Sequence, residues 1–170
     1  MERYSDAHLQ SLVRDLADAM IANQQILVTA ESCTGGWLAK CCTDLAGSSA
    51  WFLYGFISYS NQSKQRLLNV SPQTLSTFGS VSEQTAAEMA AGALSEPEAT
   101  LSVAITGIAG PSGASPDKPL GTVCFAWSDR NGTVTTATHH FSGNRDAIRR
   151  AAVAKAIEGL LKACKPTTGD

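Results

Sequence analysis

Apolar and polar positions alternate along this chain in two rhythms, and the switches between them mark its elements. Leu9, Leu12, Val13, Leu16 and Met20 recur at three- and four-residue steps. They predict an amphipathic helix that opens at Ser5 or Asp6 and ends near Asn23. Ile26–Ala30 is a short run rich in branched apolar side chains, as expected of a strand buried on both faces. Helical spacing returns with Trp37, Leu38, Cys41 and Leu45, for a second helix from about Gly36 to Leu45 that stops at Gly47. Tyr54–Tyr59 reads as a second strand, and Asn61 as the cap of a helix QSKQRLL. Ser71-Pro72 opens a short helix that closes at Gly79. Ser82 caps a longer one, Glu83–Leu94, whose Ala86, Ala87, Ala90 and Ala91 offer a small-residue face. Leu101–Ile105 is a third buried strand. Thr122–Trp127 and Val134–Phe141 are two more, joined through the hairpin signal Asn131-Gly132. A last helix follows Arg145 and buries Ile148, Ala152, Ile157, Leu160 and Leu161, and the polar tail Lys165–Asp170 is expected to fray.

Strands alternating with helices predict a single α/β domain, and the hairpin makes its sheet mixed, with at least one antiparallel pair. A length of 170 residues suits one domain with a substantial core. The net charge of −2 leaves no electrostatic footprint for nucleic acid or an anionic membrane. Charged residues are only 16% of the chain, which hints at a subunit interface. No apolar run reaches the roughly 18 residues of a membrane span, and MERYSDAHLQ lacks the apolar core of a signal peptide. Five cysteines without CxxC spacing read as reduced thiols in a cytoplasmic protein. Three histidines, two of them adjacent and on opposite faces of a strand, argue against a metal site.

Reactive side chains concentrate at one turn. Between the strand ending near Ala30 and the helix that follows lie Glu31, Ser32, Cys33, Thr34, Gly35 and Gly36. A helix N-terminus there would present free N–H groups to an anion or an oxyanion. The same residues also suit ordinary capping, with the glycines only a tight turn. The turn has no GxxxxGK[ST] pattern, so nucleotide triphosphate hydrolysis is disfavoured. Lys64 falls in the first or second turn of its helix, where a cation is unfavourably placed unless something else requires it. Thr106–Pro119, dense in Gly, Pro and Ser, leaves directly from a strand's C-terminal end, where ligands of open α/β sheets gather.

Six blocks now stand in order: TAESCTGGW (29–37), DLAGSSAWF (44–52), GFISYSNQSK (55–64), TGIAGPSG (106–113), KPLGTV (118–123) and SGNRDAIRR (142–150). In this order and spacing the chain resembles the C-terminal domain of the CinA family. It is most similar to the stand-alone nicotinamide-nucleotide amidohydrolases. The resemblance runs from about residue 9 to 162. Ala114 stands where a second glycine is common and Leu120 where valine is common, and neither touches a reactive group. The chemistry of the N-terminal domain of full-length CinA is not carried over. The resemblance implies a three-layer α/β/α sandwich with a mixed, mostly parallel sheet, usually a homodimer. It implies a cytoplasmic enzyme that hydrolyses nicotinamide mononucleotide to nicotinate mononucleotide and ammonia without a metal or other cofactor. A non-catalytic nucleotide-binding or regulatory module is the alternative.

Hydrolysing a carboxamide requires a nucleophile, a base, an acid for the departing ammonia and donors for the oxyanion. Ser32, at the turn, is one candidate nucleophile, and Ser49, in the GSS loop, is another hydroxyl the family motif retains. Cys33 is a third, if the helix N-terminus lowers its pKa, with Glu31 or Lys64 assisting. Lys64 is the candidate base, provided burial, Arg145, the helix end or the substrate's pyridinium charge lowers its pKa, and Tyr59 is placed to relay the proton. Glu31, Thr34, Gly35, Gly36, Thr106, Gly107, Gly110 and Arg145 are the expected substrate contacts, with Arg145 suited to phosphate by its bidentate fork.

Overall fold

In a computed structural model, which describes residues 4–164, the first strand, β1 (Leu27–Glu31), lies between two parallel neighbours. The tail 165–170 falls outside the described residues. β1 pairs with β2 (Phe52–Ile57) on one side and with β3 (Leu101–Gly107) on the other. Beyond β3 come β4 (Thr122–Asp129) and β5 (Val134–His140), each antiparallel to the strand before it, giving the order β2-β1-β3-β4-β5. Four strands therefore run one way and β4 alone runs against them.

Side chains of β1, β3 and β4 alternate between two cores because the strand period is two. Leu27, Leu101, Val103, Ile105, Phe125 and Trp127 face a layer made by α1 (Asp6–Ala22), α2 (Trp37–Thr43) and α6 (Arg145–Ala163). Val28, Ala30, Ala104 and Ala126 face α5 (Glu83–Ala93), beside which lie α3 (Asn61–Leu68) and α4 (Pro72–Phe78). This is the expected three-layer α/β/α sandwich. The alanine face of α5 serves close approach: a Cβ on Gly92 would stand 1.9 Å from the Leu68 carbonyl oxygen, so only glycine lets α5 meet the end of α3.

Helix caps follow the sequence with one correction. Ser5, Ser71, Ser82 and Asn144 cap as their side chains predict. The cap of α3 is Ser60 rather than Asn61: Ser60 and Ser63 exchange side-chain and backbone hydrogen bonds in a capping box, which puts Asn61 at the first helical position. No helix among the described residues is long and apolar enough to cross a membrane.

The chain leaves β1 toward α2 on one face and leaves β2 toward α3–α5 on the other. The C-terminal ends of β1, β2 and β3 thus open a crevice where the winding reverses, the usual ligand position in such sheets.

Candidate active site

Ser32 follows β1 directly, and its N–H is fixed to the Ile105 carbonyl of β3 at 2.9 Å. Ser58 follows β2 directly, and its N–H bonds the Glu31 carbonyl at 2.8 Å. These two anchors leave a gap that Lys64, one turn into α3, fills from below. Its Nζ lies 2.8 Å from Ser32 Oγ and donates to the Ser58 carbonyl at 2.7 Å. Lys64 is only 1% exposed, and no salt bridge among the described residues involves it. A cation taken from water without a counter-ion loses part of its hydration, so the neutral amine gains. Burial accordingly lowers the Lys64 pKa to about 8, with Cys33 acting weakly against it. The sequence also offered Arg145 and the helix end as causes, but desolvation by burial is what lowers the pKa.

A cavity of about 470 Å³ stands over this pair, lined in part by Ser32, Cys33, Tyr59, Thr106, Gly107 and Gly110. Its charged lining residues are Lys64, Lys118 and Arg145, with no Asp or Glu among them. Arg145, at the start of α6, donates to the Gly110 carbonyl at 2.6 Å and to the Tyr59 hydroxyl at 3.0 Å. Thr106 donates its hydroxyl to the Ser80 carbonyl at 2.7 Å, tying the end of β3 to the α4–α5 connection. Lys118 reaches across to the Phe78 carbonyl at 2.6 Å.

Other expected residues lie elsewhere. The Glu31 carboxylate is fully buried and accepts from the N–H groups of Gly36, Leu38 and Ala39 at 3.1, 3.1 and 2.9 Å. It neutralises the start of α2 itself, so those N–H groups are closed to an oxyanion and Glu31 is a structural cap. Thr34, Gly35 and Gly36 line a second cavity, of about 570 Å³, behind the turn. Cys33 borders the first cavity, but burial pushes its thiol up to about 12, against the lowered pKa expected of it. Tyr59 is 64% exposed, and its hydroxyl meets Arg145 at the cavity mouth rather than relaying to Lys64. Ser49 sits in a 3₁₀ turn, Ser48–Ala50, before β2. Within this chain it lies at the opposite end of the parallel β1–β2 pair from Ser32, roughly 15 Å away along the strands.

Sequence reasoning missed the Ser58 carbonyl, Ser80 and Lys118. Ser58 and Ser80 act through backbone oxygens, which leave no mark in a side-chain pattern. Lys118 stood at the head of the KPLGTV block and was the one signal available. Among the described residues no group of three or more His, Cys, Asp or Glu is arranged to hold a metal. His139 stacks on Phe141 while His140 turns to Thr122, on opposite faces as their adjacency required.

An α/β/α sandwich with a buried serine–lysine pair under a cationic crevice is the class that fold and site define. The chain belongs to the CinA C-terminal domain family, whose model matches residues 9–164. It is 48% identical over 156 residues to nicotinamide-nucleotide amidohydrolase PncC of Escherichia coli (strain K12), covering 92% of this chain and 94% of that protein. The protein of the same name from Enterobacter agglomerans is 46% identical, covering 93% and 96%. Among solved structures, competence/damage inducible protein CihA of Agrobacterium tumefaciens superposes with a TM-score of 0.90 at 42% identity, covering 93% of this chain and 96% of that one.

Proposed function

We propose that this protein hydrolyses the carboxamide of nicotinamide mononucleotide to nicotinate mononucleotide and ammonia, as an amidohydrolase of pyridine nucleotide recycling. The observation that carries the reading is the buried Lys64 amine, without a counter-ion and 2.8 Å from Ser32 Oγ, beneath a crevice lined by two further cations, Lys118 and Arg145, and no acid. A pair built this way suits nucleophilic attack, and the surplus of positive charge suits a substrate carrying phosphate. The serine–lysine pair favours turnover over simple nucleotide binding, which the cations alone would serve equally well.

In the proposed reaction the neutral Lys64 accepts the Ser32 hydroxyl proton as Oγ attacks the carboxamide carbon. The Ser58 carbonyl holds one Lys64 N–H, so the amine lone pair is aimed at Ser32. The resulting ammonium donates its proton to the departing nitrogen, the C–N bond breaks, and ammonia leaves an ester on Ser32. Water, deprotonated by the regenerated amine, then cleaves the ester, and Ser32 Oγ recovers the proton. These steps need no metal. Arg145, held by Gly110 and Tyr59, is the proposed phosphate contact, with Thr106, Gly107 and Gly110 shaping the wall. Ser49 and Cys33 have no step in this scheme.

The protein is further proposed to act as a cytoplasmic homodimer. Leu53, Ile57 and Tyr59, on or just beyond the edge strand β2, are exposed apolar and aromatic side chains suited to an interface. The direct test of function is ammonia release on mixing purified protein with nicotinamide mononucleotide, before and after exhaustive chelation. Stoichiometric, EDTA-resistant ammonia is expected. Binding without ammonia would sink the proposal.

A further inference from the structure

The turn that carries Ser32 is gripped from behind by a residue the proposed reaction does not use. Arg149, one helical turn beyond Arg145 on α6, donates through Nε to the Cys33 carbonyl and through Nη2 to the Thr34 carbonyl, both at 3.0 Å. Its guanidinium lies 5.2 Å from the centre of the Trp37 ring, which limits its freedom. Two backbone bonds, Gly35 N–H to the Ser32 carbonyl and Trp37 N–H to the Thr34 carbonyl, close the turn, but its glycines give it conformational freedom. Gly35 and Gly36 have φ of +62° and +91°, and glycine moves readily through that region.

A trans peptide points its carbonyl and its N–H in opposite directions. Holding the carbonyls of Cys33 and Thr34 toward α6 therefore sets which way the following N–H groups point. One result is visible: the Gly35 N–H closes back on the Ser32 carbonyl at 3.1 Å. Ahead of the turn, Ser32 is pinned to β3, and after it Glu31 holds Gly36, Leu38 and Ala39. Arg149 supplies the side-chain restraint between those two anchors.

We infer that Arg149 is a positioning residue for the nucleophile. It fixes the peptides that follow Ser32, and so the aim of Oγ and of the dipoles around it, without touching substrate. The inference rests on the reading of Ser32 as nucleophile, but not on the identity of the substrate. A lysine cannot replace this role, since one ammonium lacks the planar fork that spans two carbonyls. The second cavity, bordered by Arg149, Thr34, Gly35 and Gly36, gives a small cation access to the same place.

The experiment uses Arg149→Ala and Arg149→Lys in the full chain, with two readouts. These are steady-state ammonia release from nicotinamide mononucleotide and the rate at which a fluorophosphonate probe labels Ser32. Expected for both variants is a fall in kcat of about a hundredfold, KM within about threefold, and a matching fall in labelling rate. Added guanidinium ion should restore at least tenfold to Arg149→Ala and nothing to Arg149→Lys. If Arg149→Ala fails to fold, Arg149→Lys, which keeps the charge on α6, decides through kcat and labelling alone. Wild-type kcat and labelling in a folded variant would overturn the inference. Labelling of wild-type Ser32 without ammonia release would refute the proposed substrate and leave the Arg149 comparison to be decided by labelling. A wild-type protein inert in both assays would overturn the serine mechanism and this inference together.

Discussion

The two cavities on either side of the Ser32–Gly36 turn differ most in how their charges are matched. Behind the turn, Asp6, Asp44 and Asp146 stand with Lys40, Arg149 and Arg150. Arg150 pairs with Asp6 and Asp146, Lys40 pairs with Asp44, and Arg149 binds two carbonyls. In front of it, Lys64, Lys118 and Arg145 have no acid among the lining residues. Matched charges at a surface contribute little to the fold and leave little for a ligand to gain. Unmatched cations around a buried amine hold free energy that only an incoming anion releases, and one of them loses its proton readily. The difference fits the proposed reaction, with the front cavity as the place for chemistry and the back one as its support. Size alone would have chosen the other, since the back cavity is the larger.

The strongest way to break this comparison is to remove the front pair. Ser32→Ala should lower kcat by at least about a thousandfold, the scale of losing a nucleophile that works as a unit with its base. Activity within tenfold of wild type would move the nucleophile elsewhere in the chain. Lys64→Arg should be nearly as damaging as Lys64→Ala, because a guanidinium keeps the charge and cannot accept a proton. Near-normal turnover by Lys64→Arg would make Lys64 an electrostatic contact only.

The pH profile sharpens the same point. With a pKa of about 8, roughly one Lys64 in ten is neutral at pH 7, so kcat/KM should rise about tenfold with pH and level off above 9. The stability effect has the same sign. The unfolded chain holds its lysine proton up to about 10.5, so below about pH 8 burial of Lys64 opposes folding, on the order of 2–3 kcal/mol, and the cost fades as pH rises toward 10.5. A rate that is flat between pH 7 and 9 would remove the neutral amine from the mechanism.

Next in size is the unmatched charge at the rim. Arg145→Ala should cost about 1.5–3 kcal/mol in kcat/KM for nicotinamide mononucleotide, the range for a hydrogen bond to a charged group. It should cost much less for nicotinamide riboside, which lacks the phosphate and is expected to be a poor substrate for the wild type. Equal kcat/KM for riboside and mononucleotide would show that the front cations serve something other than phosphate.

Element order and layer composition were legible because hydrophobic period reports directly on strands and helices. The site was legible only in part, for reasons particular residues make plain. Ser32, Lys64, Thr106 and Arg145 sit in dense polar blocks next to strand ends, and the fold brings all four around one cavity. Glu31 looked like a ligand because an acid beside a helix start has two uses, and only its depth, with three backbone N–H groups around it, selects capping. Cys33 misled in the same way: position suggested a thiolate, while the surrounding core raises its pKa. Ser49 is near Ser32 in sequence and far from it along the strands, since β2 returns the chain to the crevice only at its other end. Arg149 is one of three arginines in a short helical stretch, and nothing in sequence separates a residue that grips carbonyls from one that grips acids.

The smallest expected effect comes from the back cavity, and it tests the other half of the comparison. Lys40 and Asp44 lie one turn apart with Nζ 2.5 Å from Oδ2, but their side chains are 65% and 46% exposed. Water already screens such a pair, and holding two long side chains in register costs entropy, so the net contribution is small. The pair raises the Lys40 pKa, mainly through its bond to Asp44, yet Lys40 is charged at neutral pH with or without that bond. Lys40→Ala should therefore leave kcat and KM for nicotinamide mononucleotide within about twofold of wild type, with no resolvable change in Tm at 0.15 M salt. The removed charge lies on the far side of the turn, whose backbone is held by Glu31 and Arg149 rather than by Lys40. A loss of tenfold or more in kcat/KM would mean that the back cavity participates in the reaction. The division between a front site and a rear support would then fail.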